Sequence, residues 1–192
     1  MTSFSSIRSQ PTYPPLSVNP AARATLFVTD APCADPTWFA TGTSPSAFDK
    51  LWVVTGGSRT LPQPHGGVTT FRATTQLLET LAAHLEHECM GLRLYAAGAE
   101  PFIWSVARIA RQAGMSVEEY ALLRTGTPAR TVMCAHCHTL TPGATTTLLT
   151  CSGCGARLEV RDHFSRRLGA YLGVQADAEQ PGVFPPTKEL NA

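Results

Sequence analysis

Apolar residues fall in two periods along this chain, and the alternation between them predicts the elements. Ala24-Thr-Leu-Phe-Val28, Leu51-Trp-Val-Val54 and Leu92-Arg-Leu-Tyr95 are short apolar runs bounded by turn residues, the pattern of buried strands. Between the last two, Leu77, Leu78, Leu81 and Leu85 recur at helical spacing, which predicts a helix from Thr70 to about Glu88 stopped by Gly91. Pro101 suits a first helical turn, and Phe102, Ile103, Val106, Ile109, Ala110 and Ala113 then share one face of a helix that ends at Gly114. Ser116 and Glu119 have capping-box spacing, and Tyr120-Ala-Leu-Leu123 fits helix or strand. The order β-β-α-β-α-β predicts a reduced parallel α/β domain over residues 24–126.

Around this domain the composition changes. Residues 1–23 are rich in Ser and Pro and read as an extended arm, disordered alone or laid across a partner. Residues 30–49 form an irregular loop around Trp38 and Phe39, and Gly56-Gly57 opens a second loop through Pro64. Beyond a linker at 125–129, three short strands (Thr131-Val-Met133, Thr145–Leu149 and Arg157-Leu-Glu-Val160) enclose two cysteine pairs within residues 130–175. Asp162 is a candidate cap for a trailing helix from His163 to about Leu172, and residues 176–192 are a polar tail.

The cysteine spacing carries the chemistry. Cys134, Cys137, Cys151 and Cys154 form CxxC…CxxC with thirteen residues between the pairs. Two tight turns of this kind aim four thiolates at one centre, a closed tetrahedral shell suited to zinc and, in a rubredoxin-like alternative, to iron. No position stays open for water, so the site is structural before it is catalytic. His136 and His138 stay outside a shell that four sulfurs already complete. Cys134-Ala-His-Cys137-His138 also matches the covalent haem motif, but that reading needs export and leaves Cys151 and Cys154 without a use.

Charge narrows the function classes. Fifteen basic and fourteen acidic residues give a formal net charge of +1, which argues against a dedicated nucleic-acid or membrane-surface binder. Arg157, Arg161, Arg166 and Arg167 lend the cysteine-bearing region a basic cast that suits an acidic protein surface better than nucleic acid. The first ten residues hold no apolar run, so no leader or membrane span is expected. Isolated Cys33 and Cys89 fit a reducing cytoplasm. Two further groups invite a role: His84 and His87 near one turn of helix, and Trp104 with Arg108 and Arg111, a candidate partner contact.

Leu94-Tyr-Ala-Ala-Gly-Ala-Glu-Pro-Phe-Ile-Trp104 resembles the strand-turn-helix of the nicotinamide-binding half of ferredoxin-reductase-type flavoproteins. Ala97, Gly98 and Ala99 stand where that family has Cys-Gly-Pro. Taken with the cysteine quartet and Arg161-Asp-His-Phe-Ser-Arg-Arg-Leu-Gly-Ala-Tyr171, residues 24–175 resemble the small, DmmA-type subunit of bacterial dimethylamine monooxygenase. The resemblance implies a complex with a haem oxygenase subunit and a reductase subunit carrying FMN and a 2Fe-2S cluster. It also implies oxidation of dimethylamine by O2 and NAD(P)H to methylamine and formaldehyde. This chain would then be a zinc-binding accessory subunit with no catalytic residue of its own. A stand-alone NAD(P)H-dependent reductase and a zinc-ribbon nucleic-acid adaptor are the alternatives.

Overall fold

The structure, a computed structural model, describes residues 9–31, 35–55, 67–88 and 90–190. Gly56-Gly57, the loop through Pro64, Cys33 and Cys89 lie outside the described residues. The chain divides into two compact units, Tyr13–Gly126 and Thr127–Ala192, the second including the segment up to Thr12.

The first unit is α/β. Strands β1 (Ala24–Thr29), β2 (Lys50–Val54), β3 (Val68–Phe71), β4 (Leu92–Gly98) and β5 (Tyr120–Arg124) form one parallel sheet in the order β3-β2-β1-β4-β5. The apolar runs of β1 and β4 are buried along almost their whole length, as a sheet covered on both faces requires. One cover is helical: α1 (Thr74–Glu86) buries Leu77, Leu81 and Leu85, and α2 (Glu100–Gln112) buries Phe102, Ile103, Val106, Ala107 and Ala110. Gly114, at φ +86°, ends α2, with the Met115 amide on the Ala110 carbonyl and its own amide on Arg111.

The other cover is irregular. Phe39 and Phe48, from the connection between β1 and β2, pack on Phe27 with ring centroids 5.6 Å and 5.0 Å away. Leu16 joins them, fully buried, its amide donating to the Trp38 carbonyl and its carbonyl accepting from Ala40. Asp49 anchors the end of this connection by accepting the Thr25 amide at 2.7 Å and its hydroxyl at 2.8 Å.

One sequence expectation changes here. The helix expected from Thr70 begins at Thr74, because Val68-Thr-Thr-Phe71 pairs with β2 as an edge strand. Its β-branched residues favour extended backbone over helix. The Ser116–Glu119 bond forms as its spacing suggests, with the Ser116 amide 2.8 Å from Glu119 Oε2, and closes one short turn that leads into β5.

Among its described residues the second unit is all β. Strands β6 (Arg130–Cys134), β7 (Leu140–Ala144), β8 (Leu148–Thr150), β9 (Arg157–Ser165) and β10 (Ala170–Gln175) make one sheet in the order β7-β6-β10-β9-β8. The expected helix from His163 to Leu172 is instead the hairpin of β9 and β10. Phe164, Leu168, Tyr171 and Leu172 do recur at helical spacing. Gly169, at φ +65°, turns the chain between Ser165 and Ala170 and leaves Leu168 exposed at the tip. Phe164 then meets Tyr171 edge-on at 4.8 Å. Asp162 caps no helix and faces the buried Arg130 guanidinium at 3.3 Å, itself 4.2 Å over the Tyr171 ring. The segment after β10 returns beside β8, where Thr147 donates to the Lys188 carbonyl and Leu190 is buried.

Candidate metal centre

Two short turns at the ends of strands build the site. Cys134 is the last residue of β6 and Cys151 follows β8. The amides of both donate to the carbonyl five residues on, Cys134 to Thr139 at 3.0 Å and Cys151 to Ala156 at 2.9 Å. Both carbonyls accept from the amide four residues on, His138 at 2.9 Å and Gly155 at 3.1 Å. These equivalent residues share left-handed backbone, at φ +60° and +73°. Glycine adopts it freely; His138 is a non-glycine residue held there by the turn.

The four sulfurs all lie within 4.8 Å of one another, with Cys137–Cys151 at 3.5 Å and Cys134–Cys154 at 3.8 Å. Ligands about 2.3 Å from a tetrahedral ion stand about 3.8 Å apart, so the quartet fits zinc or iron in thiolate coordination. Cys134 and Cys151 are buried, Cys137 is half-buried and Cys154 is exposed. His136 and His138 are exposed and lie outside the cluster.

Electrostatics favour thiolates at two of these positions. The Thr139 hydroxyl, 3.3 Å from Cys137 Sγ, and the Thr139 amide pull the Cys137 thiol down to about 6. The Cys154 and Gly153 amides lower Cys151. At Cys154 the Ala156 amide also pulls downwards, but hydrogen bonding to the Cys137 sulfur, burial, and hydrogen bonding to the sulfurs of Cys151 and Cys134 win and push it up to about 11. Four negative sulfurs this close repel one another, and a cation removes the conflict.

The other candidates do not converge on a reaction centre. Trp104 is buried, contrary to its expected place at a partner surface. Its Nε1 donates to the Tyr13 hydroxyl at 2.8 Å, which in turn donates to Glu100 Oε1 at 2.6 Å. Arg124 stands 4.0 Å from the same carboxylate. Glu100 and Tyr13 were missed in the sequence; the signal was a carboxylate beside Pro101 at the head of an otherwise apolar helical face. His84 lies against Trp52 and 3.0 Å from Glu88, its pKa lowered mainly by burial. Arg161 pairs with Glu159 at 3.0 Å, while Arg166 and Arg167 are exposed in the β9–β10 turn.

At the end of β4 the turn into α2 holds a carboxylate. Asp30, just after β1, accepts the Ala99 amide at 3.2 Å and 3.3 Å. Gly98 makes room for it: a Cβ there would overlap Asp30 Oδ1 and crowd Phe102. Burial raises the Asp30 pKa above 3.8 despite the opposing Ala99 amide. A raised carboxyl pKa means the folded state holds the proton more tightly. Ionisation therefore costs stability, beginning as the pH climbs through 3.8 and complete above the folded pKa. Asp30→Asn, which keeps an acceptor for Ala99, is expected to raise Tm slightly at pH 7 and leave it nearly unchanged at pH 3. Melting curves across that range check it, and a variant less stable at pH 7 than at pH 3, relative to the parent, would contradict it.

Two family models match the chain, one within each compact unit. Residues 131–174 match the model of the C-terminal domain of the DmmA-like dimethylamine monooxygenase subunit, and residues 58–120 match the model of its N-terminal domain. The heme-dependent oxidative N-demethylase delta subunit of Ectopseudomonas mendocina (strain ymp) is 38% identical over 179 residues, covering 92% of this chain and 94% of that protein. No solved structure matches the chain significantly. With both of its domain models matched and a full-length relative at this identity, the chain belongs to the family of DmmA-like subunits of dimethylamine monooxygenase.

Proposed function

We propose that this chain is the zinc-organised accessory subunit of a cytoplasmic, multicomponent oxidative N-demethylase. The complex takes dimethylamine, O2, NAD(P)H and a proton to methylamine, formaldehyde, water and NAD(P)+. A haem oxygenase subunit and a reductase subunit with FMN and an iron–sulfur cluster carry the redox chemistry. This chain docks them so that electrons pass between them.

The single observation that carries the reading is the closed sulfur quartet: four protein ligands at tetrahedral separation leave no position for substrate. An ion held there supplies a cross-link between β6, the β7 hairpin and β8, and no reaction step. The relative, named as the delta subunit of a heme-dependent oxidative N-demethylase, supports membership of an assembly and the type of reaction. Among the described residues no helix is long and apolar enough to cross a membrane, which is compatible with the cytoplasmic placement.

The strand order β3-β2-β1-β4-β5 supports kinship of the first unit with reductase nicotinamide domains, whose ligands sit at the carboxyl ends of the strands where the order reverses. In this chain Asp30 takes the amide that opens α2 at that edge. A carboxylate there repels a phosphate, so the unit serves as scaffold.

Purified with its partners, the chain is expected to hold one zinc and to co-elute with haem- and flavin-containing subunits. Elemental analysis and the visible spectrum of each separated subunit read this out; bound iron would colour the chain red. A metal-free chain supporting full N-demethylase activity would sink the proposal. So would an isolated chain that carries flavin and oxidises NADPH.

A further inference from the structure

The two cysteine turns repeat one backbone pattern, and one side chain breaks the repeat. The residue five positions after the first cysteine is Thr139 in one turn and Ala156 in the other. The Cys137 thiol donates to Thr139 Oγ1 at 3.3 Å, whereas the methyl group of Ala156 offers Cys154 no such partner; a metal-bound Cys137 thiolate has no proton to give, so the same contact then runs from the hydroxyl to the sulfur. The opposite turn is shaped to accept this hydroxyl. A Cβ placed on Gly153 would overlap Thr139 Oγ1, meet Thr139 Cβ at 2.8 Å and lie 3.2 Å from Cys137 Sγ. Thr141, two residues further along, accepts the Ser152 amide at 3.2 Å and lies 3.1 Å from the Ser152 hydroxyl. Two threonines from the first turn and its strand thus grip residues 152–153 of the second.

We infer that Thr139 is a positioning residue of the metal centre: seated over Gly153, its hydroxyl donates to the Cys137 thiolate and fixes that ligand's direction. The inference rests on the metal-centre reading above. A sulfur that accepts a hydrogen bond gives less electron density to the ion and loses rotational freedom, so the bond acts on affinity and on the metal–sulfur electronic structure together. Simple filling of space would act on neither through the hydroxyl.

The test uses the full chain, loaded with zinc and, separately, with cobalt(II). Thr139→Val keeps the shape and removes the donor. It should weaken zinc about 10- to 100-fold in competition with a chelator and shift the thiolate-to-cobalt charge-transfer band. Thr139→Ser restores the hydroxyl and should recover both. Gly153→Ala should reproduce the valine phenotype by expelling the threonine from its seat, with circular dichroism confirming an intact sheet. If Thr139→Val equals the parent in affinity and band position, the inference falls while the metal centre stands. If serine is as defective as valine, packing and not the hydroxyl is responsible, and the inference falls again. A parent chain that takes up neither ion sinks the metal-centre reading and this inference with it.

Discussion

Cys151→Ser is expected to empty the sulfur site and loosen the second unit. Cys151 is buried, and its thiolate is one of four ligands; a serine hydroxyl stays protonated and replaces neither the charge nor the bond length. Binding at structural zinc sites in small peptides amounts to about 10–16 kcal/mol, essentially all of it folding energy. Here the loss should be only part of that, because Val132, Leu158, Phe164 and Tyr171 give the sheet a core of its own. Even about 3 kcal/mol moves Tm by roughly 10–20 °C in a unit of this size. The parent stripped with a strong chelator should melt like the variant, and readdition of zinc should rescue only the parent. Metal content and melting of the full chain decide the matter. A serine variant with unchanged Tm would show that the quartet does not hold the unit together. In the assembled complex the same variant should shed its partners and lose N-demethylase activity.

Phe48→Ala should unseat the irregular cover of the first unit. Phe48 is 1% exposed and touches three aromatic neighbours: Phe27 at 5.0 Å, Tyr95 edge-on at 5.0 Å and Phe39 at 5.8 Å. Truncating a buried phenylalanine costs about 3–5 kcal/mol, the higher figure where the walls cannot collapse. Three of the walls here are strands β1, β2 and β4, which cannot move without breaking the parallel ladder; only the side lined by Phe39 is irregular. Phe48 itself follows a single 3-10 turn, Pro45–Ala47, so no helix can slide over the gap. A fall in Tm of well over about 10 °C is expected. Leu168→Ala at the exposed β9–β10 tip should stay within about 0.5 kcal/mol of the parent. Equal melting temperatures for Phe48→Ala and the parent would show that this layer does not contribute to the fold.

Two of the overturned expectations share one cause. Phe164, Leu168, Tyr171 and Leu172 are compatible with a helix, and only pairing with β6 made Tyr171-Leu-Gly173 an internal strand. Gly173 shows that pairing directly, since a side chain there would meet Val132 Cγ1 at 2.7 Å. Trp104 sits off the apolar stripe of α2, which reads as exposure. It is buried because Tyr13, ninety-one residues earlier, supplies its indole with an acceptor.

By itself the amino-acid order determined whatever depends on neighbours within a few residues. The cysteine turns, the apolar runs of β1, β2 and β4, and the stripes of α1 and α2 are written in local spacing, because a thiolate turn or a helical face closes within one or two turns of backbone. Tertiary structure alone decided which segment covers the second face of the parallel sheet, which partner Trp104, Glu100 and Arg130 find, and that Thr139 lies over Gly153. Each of these joins residues distant in sequence, and burial of a polar group is tolerable only where such a distant partner completes its hydrogen bonding.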